Sequence, residues 1–394
     1  MSRRKFVDIR DIADVRTLRE GFDNASAGYK GDRADVQQYQ ANLEENLRNL
    51  RLRLLSGEWM PDSGRAFMLF TEGKWREITT VGVEDRIVHY ALIKYFAISQ
   101  RFVKRTFGSI KGRGTLKASK QVRRDLRVSG YELALKLDAK KYYPHINKRK
   151  LVGLLEKRYK GRAALELMAK VIYSYKPGTD CGVSIGALTS QDLGNFYLTP
   201  FDYFVIYALG LRYYTRYVDD IVILLKDKAE ARRVIPLLIE MAGTLDVVFG
   251  SIELFPVWAR RIDFCGWAAN RVNVRLRKST LRRYIKKLEL FSKRPDISPE
   301  YKRNCICSYL GMLKYCDSYK LQTILKRKYY EVFREIDGLA KGRRSKKTDI
   351  TVAETGNGRV QTLLQPPGRG KGRAGRNRRG DRGTYHRNRA SSNG

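Results

Sequence analysis

Two short β-prone runs with a pair of aspartates between them form the most distinctive hydrophobic pattern of this chain. The runs cover 213–217 and 221–225, and the second is apolar throughout. A short continuous apolar run is typical of a strand buried on both faces, so the pattern predicts a tight hairpin with Asp219 and Asp220 at its turn. Adjacent carboxylates beside a core repel each other, and their desolvation is costly unless a cation binds them.

A third acidic residue ends another predicted strand. Leucines alternate with other residues over 132–138 (ELALKLD), which predicts a strand ending at Asp138. Carboxylates held on rigid strands suit divalent-metal binding for phosphoryl or nucleotidyl transfer. We therefore expect Asp138 to join Asp219 and Asp220 in one site.

Helical periodicity covers much of the remaining chain. The predicted helices lie within residues 34–54, 85–94, 150–175, 193–204, 228–245 and 275–337. Gly57 is placed to end the first of them. Residues 65–80 predict a β-hairpin with its turn at Glu72-Gly73. The small residues of 21–28 suggest a loop.

The net charge of the chain adds to these predictions, because it indicates what kind of molecule the protein binds. The 394 residues include 79 Lys and Arg against 41 Asp and Glu, a net charge of +38. Residues 341–394 hold 15 basic and 3 acidic residues, which leaves +26 on residues 1–340. With 24 Tyr and 15 Phe as stacking surfaces, this excess favours a nucleic-acid partner.

Several classes of protein are disfavoured. Five cysteines make an odd number without a disulfide framework, and Cys305, Cys307 and Cys316 lack a fourth zinc ligand. The N-terminus has no apolar signal region, and no apolar run approaches the roughly twenty residues of a membrane span. We expect a cytoplasmic protein without a membrane partner.

The Tyr217-Val218-Asp219-Asp220 box, together with Asp138, resembles the catalytic motifs of reverse transcriptases. The resemblance implies an α+β fold of the right-hand polymerase type, with fingers, an antiparallel palm sheet with helices and a helical thumb. The implied organisation is an N-terminal segment and fingers helix (1–59), fingers and palm (60–270), a helical thumb (271–338) and a disordered basic tail (339–394).

The same resemblance assigns roles to further residues. It implies two Mg²⁺ ions, with Mn²⁺ as a possible substitute, at a metal site of Asp138, Ala139, Asp219 and Asp220. Lys74 and Arg76, two apart on a strand, resemble the basic pair that holds the triphosphate of a deoxynucleoside triphosphate. Tyr143 lies where a steric gate against the ribose 2′-hydroxyl is expected. Residues 261–267 (RIDFCGW) resemble a primer-grip hairpin through Phe264, Cys265 and Gly266; a purely structural hairpin is the competing interpretation.

The segment 185–191 (IGALTSQ) indicates which group of reverse transcriptases the chain resembles. It resembles the reverse transcriptases of diversity-generating retroelements, which copy a template RNA into cDNA with errors at adenines. Ile185 and Gly186 would line the nucleotide pocket, where most relatives carry glutamine and glycine. An isoleucine removes a hydrogen bond worth about 0.5–1.5 kcal/mol, so lower fidelity is expected. The implied partners are template RNA, the RNA/cDNA duplex and a small basic accessory variability protein that forms a pentameric ring.

Two alternatives stay open. One is another bacterial reverse transcriptase, of the retron or abortive-infection type. The other is a non-catalytic basic RNA-binding scaffold, whose binding would survive loss of all three aspartates. An RNA-templated RNA polymerase is also allowed by a palm of this type, although Tyr143 as a gate argues against it.

Overall fold

The structure, a computed structural model, describes residues 3–62, 64–71 and 73–337, with only the backbone at Lys74. The strands are β1 Lys5–Phe6, β2 Arg65–Thr71, β3 Lys74–Thr80, β4 Leu133–Ala139, β5 Tyr159–Lys160, β6 Tyr214–Tyr217, β7 Asp220–Leu225, β8 Phe249–Pro256, β9 Ile262–Phe264, β10 Trp267–Ala269 and β11 Val274–Leu276. The predicted tail, 339–394, and Glu72 of the predicted hairpin turn lie outside the described residues.

Helices outnumber strands. They are α1 Ile9–Ile12, α2 Val15–Ser26, α3 Ala34–Ala41, α4 Leu43–Ser56, α5 Val83–Phe96, α6 Thr115–Val128, α7 Tyr142–His145, α8 Lys148–Arg158, α9 Arg162–Ser174, α10 Leu188–Tyr197, α11 Thr199–Tyr203, α12 Lys228–Thr244, α13 Lys278–Lys293, α14 Pro299–Leu313 and α15 Tyr319–Lys328. Residues 330–337 are also helical. The predicted α+β class is confirmed.

The largest sheet has four antiparallel strands in the order β6-β7-β4-β8. Alternation along β4 sends Leu133, Leu135 and Leu137 to one face and Lys136 and Asp138 to the other. The leucine face closes the main apolar core with residues of α2, α5, α10 and α12. The opposite face packs on α6 toward one end of the sheet and leaves the Asp138 side chain exposed at the other.

The predicted loop over 21–28 is wrong. Helix α2 continues to Ser26, and its small residues serve close packing. A Cβ on Gly21 would lie 2.9 Å from the carbonyl oxygen of Ile87, so only glycine lets α2 approach α5 this closely.

Three predicted helices are divided. The 150–175 region contains α8, β5 and α9, because Gly161 adopts φ +114 against the backbone of Val7 and β5 pairs in parallel with β1. The 34–54 region breaks at Asn42 into α3 and α4, and 193–204 breaks at Leu198. Gly57 ends α4 in the left-handed conformation, as predicted.

The C-terminal part of the described chain is a small sheet followed by helices. Strands β9, β10 and β11 form an antiparallel sheet that spans residue 270, the predicted domain boundary. Helices α13, α14 and α15 and residues 330–337 pack around a separate apolar cluster that includes Tyr284, Leu288 and Ile306. No helix in the described part of the chain is long and apolar enough to cross a membrane.

Candidate active site

Three carboxylates meet at one end of the four-stranded sheet. Asp138 and Asp220 are direct cross-strand partners of β4 and β7. Tyr217 pairs with Asp220 across the β6–β7 hairpin, so Val218 and Asp219 form its two-residue turn. The predicted position of Asp220 in the turn is wrong by one residue, because Asp220 begins β7. Val218 has φ +58, an unusual conformation for a β-branched residue. The sequence-based prediction that these acids share one site is therefore consistent with the backbone register.

The local environment opposes ionisation of two of these acids. Burial raises the pKa of Asp219 to about 6, and the charge of Asp138 adds to this rise. Burial also raises the pKa of Asp220 to about 7, where Lys136 lowers it and Asp138 and Asp219 raise it further. Lys136 Nζ lies 3.6 Å from Asp220 Oδ1, yet that oxygen is buried and has no hydrogen-bond partner in the described part of the chain.

These groups have the chemistry of a divalent-cation site. Carboxylate oxygens are the ligands that Mg²⁺ and Mn²⁺ prefer, and an added positive charge would relieve the repulsion at Asp219 and Asp220. Ala139 ends β4 where its register with β8 shifts. As the side chains stand, residues 3–337 where described contain no group of three or more acidic, His or Cys side chains placed to hold a metal ion.

A buried arginine holds the β6–β7 turn through its backbone, and sequence reasoning missed it. Arg216 is 0% exposed and donates from Nη1 to the carbonyl oxygen of Val218 at 2.8 Å. Its Nε and Nη2 donate to the two carboxylate oxygens of Asp202 at 2.7 and 2.5 Å. A charged residue inside an otherwise buried strand was the available signal, because such a group requires a partner.

The same hydrogen-bond network fixes the glycine-rich loop over residues 107–114, which precedes α6. Asn195 accepts from Arg216 Nη1 at 3.1 Å and donates to the carbonyl oxygen of Gly108 at 2.8 Å. Phe107 N donates to the carbonyl oxygen of Arg216 at 2.9 Å. A Cβ on Gly108 would lie 2.5 Å from Val218 Cγ2, so the loop packs directly on the turn.

Two predicted nucleotide-binding residues lie near Asp219. The charge of Arg76, on β3, lowers the pKa of Asp219 against the larger effect of burial. Burial and the charge of Asp219 raise the pKa of Tyr143 to about 12. Tyr142 is buried and donates to the carbonyl oxygen of Gly194 at 2.5 Å. Tyr143 is partly buried against the same core. The side chain of Lys74 lies outside the described residues.

Ile185 and Gly186 dock on the strand that carries Arg76. Thr79 N donates to the carbonyl oxygen of Ile185 at 2.9 Å. Gly186 has φ +126, and a Cβ there would lie 2.5 Å from the carbonyl oxygen of Thr79. The IGALTSQ segment and the β2–β3 hairpin therefore pack directly against each other through their backbones.

The β9–β10 hairpin borders the acids on another side. Its turn residues Cys265 and Gly266 both have positive φ. The pKa of the Cys265 thiol is raised by burial first and then by the charge of Asp220, so this turn lies beside the carboxylates. Phe264 is 1% exposed and belongs to the core beneath the sheet.

No protein-family model matches this chain, and a search of curated proteins finds no significant match.

Proposed function

We propose that this chain is an RNA-directed DNA polymerase. The observation that carries the proposal is the cross-strand pair Asp138–Asp220 with Asp219 in the adjoining turn. In this proposal the sheet β6-β7-β4-β8 is the palm, the β2–β3 hairpin belongs to the fingers and α13 to α15 form the thumb.

The acidic side chains would hold two Mg²⁺ ions, for which Mn²⁺ could substitute. Asp138 and Asp219 are the proposed principal ligands, supported by Asp220 and by Ala139 at the strand end. Such ions, when bound, activate a 3′-hydroxyl and neutralise a triphosphate. Arg216 keeps Asp219 at the turn by fixing the carbonyl group of Val218.

The other walls would orient the nucleotide. Arg76, with Lys74 on the same strand face, would bind the phosphates of a deoxynucleoside triphosphate. Tyr143 would exclude the ribose 2′-hydroxyl, and Ile185-Gly186 would pack against the base pair without an amide. Cys265-Gly266 would contact the primer end.

We further propose the diversity-generating class, because the IGALTSQ segment resembles that of these enzymes; Ile185 would then check the base pair by packing alone. The substrates are then a template RNA and deoxynucleoside triphosphates, the product is an RNA/cDNA duplex with errors at adenines, and the partner is a small basic accessory ring. A cytoplasmic location belongs to the same proposal.

The test is incorporation of deoxynucleotides on an RNA template by the full chain with Mg²⁺, with and without the accessory protein, followed by sequencing of the products. We expect errors at template adenines, reduced in Ile185→Gln. Ile239→Gln is the matched control, since Ile239 lies on α12 and is 46% exposed. Faithful synthesis would indicate a retron-type or abortive-infection-type enzyme, and RNA binding without synthesis would favour the scaffold.

A further inference from the structure

A pocket of about 260 Å³, separate from the candidate active site, lies between α6, strands β10 and β11 and the turn that joins α14 to α15. Its walls carry three cations, Lys120, Arg123 and Lys314, and one acid, Asp317. None of the three aspartates of the candidate active site lines it.

Within the described residues, none of these three cations forms a salt bridge, although the Asp317 carboxylate lies in the same pocket. Lys120 and Arg123 are three residues apart on α6 and therefore share a face. Arg123 Nε is buried without a hydrogen-bond partner among the described residues. Lys120 Nζ lies 4.7 Å from the centre of the Tyr315 ring. The carboxylate of Asp317 already accepts a hydrogen bond from Val274 N at 2.7 Å.

A buried donor left unpaired costs about 1–3 kcal/mol, more when it is charged. An arginine fork with two nearby lysines suits an oxyanion, since the guanidinium can bind two oxygens at once. The pocket is far larger than a water site and slightly smaller than typical ligand pockets of about 300–1,000 Å³. Its size therefore accommodates a phosphate group with part of an attached nucleoside.

We propose that this pocket binds a phosphate group, supplied either by a free nucleotide or by an RNA strand. The proposal concerns a separate site and does not depend on polymerase activity. An occupant would contact the segment that supports the β9–β10 turn. Trp267 Nε1 donates to the carbonyl oxygen of Met312 at 3.2 Å, and a Cβ on Gly266 would lie 3.1 Å from Met312 Cε.

The experiment measures binding to the full chain by calorimetry, without divalent cations, for two probes: ATP and a single-stranded RNA of about ten nucleotides. Arg123→Gln removes one pocket charge. Arg124→Gln is the matched control, because Arg124 is exposed on the same helix and does not line the pocket. We expect Arg123→Gln to weaken binding about tenfold more than Arg124→Gln does.

The two probes distinguish the sources. An excess loss for ATP alone identifies a free nucleotide as the ligand, and an excess loss for RNA identifies a strand phosphate. Equal effects of the two variants on both probes would overturn the proposal. Thermal unfolding checks that each variant folds. If Arg123→Gln does not fold, the test is repeated with Lys314→Gln, which changes an exposed side chain.

Discussion

At the residue scale, Arg216 fixes the geometry of the β6–β7 turn. This side chain joins the left-handed Val218 to Asp202 and Asn195 through five hydrogen bonds. Removal of one partner of a buried ion pair leaves an uncompensated charge in the protein interior.

We predict that Arg216→Met lowers the free energy of unfolding by about 3–5 kcal/mol. Chemical denaturation measures the loss. The control is Arg294→Met, which breaks an ion pair that is 60% exposed on both sides and should change stability by less than about 1 kcal/mol. Similar small changes in both variants would show that the Asp202 network does not support the turn.

Asp85 gives the fold a pH dependence of its own. It is 4% exposed and accepts from Asp62 N at 3.2 Å, and burial raises its pKa from 3.8 to about 7. A carboxyl whose folded pKa exceeds its unfolded value binds its proton more tightly when folded. Its contribution therefore favours folding at low pH and is lost as the pH rises from about 4 through about 7.

Asp85→Asn should therefore raise the thermal stability at pH 8 by at least about 1 kcal/mol, with no gain at pH 4. Melting curves at both pH values test this, with Asp23→Asn at an exposed position as the control. A gain that is larger at pH 4 than at pH 8 would contradict the assigned cause.

At the element scale, the IGALTSQ segment depends on a close approach to β3. Gly186→Ala should destabilise the fold by about 1–3 kcal/mol beyond the backbone strain itself, because the new Cβ would meet the carbonyl oxygen of Thr79. Gly114→Ala separates the two effects, since Gly114 has φ +116 and no atom of the described residues lies within 4 Å of its Cβ position. Equal losses in the two variants, measured by denaturation, would mean that the contact with β3 is unimportant.

The strands around the acids were predictable from sequence, whereas the helix breaks were not. Alternation in β4 and the apolar run of β7 reflect a local period, so Asp138 could be placed near a strand end and Asp219 at the hairpin turn. Gly21 and Gly161 act through contacts with Ile87 and Val7 that are distant in sequence. A single sequence gives no sign of such contacts.

Some residues of the candidate site could likewise be predicted from the sequence, and others could not. Its acids could be named from short local patterns, and the β3, Tyr143 and Cys265-Gly266 positions from the resemblance of short motifs to those of reverse transcriptases. The partner of Arg216 could not, because Asp202 lies on another element 14 residues earlier. Lys136 was also missed, although its alternation with Asp138 along β4 places both on one face.

At the scale of the whole molecule, a strongly basic chain contains a small cluster of acidic residues. Residues 1–340 carry a net charge of +26, and the proposed metal site provides the local exception. A polyanion would be attracted broadly by the basic residues, while Asp138, Asp219 and Asp220 would hold the metal ions of the proposed reaction.

The most direct test of this account is deoxynucleotide incorporation on an RNA template by the full chain and by Asp219→Asn, with RNA affinity measured in parallel. Asp219→Asn keeps the shape of the side chain and removes its charge. We predict that incorporation falls to background while RNA binding is unchanged, and that Asp296→Asn, an exposed control, keeps full activity. Synthesis retained by Asp219→Asn would contradict the assignment of the catalytic carboxylates and, with it, the proposed function.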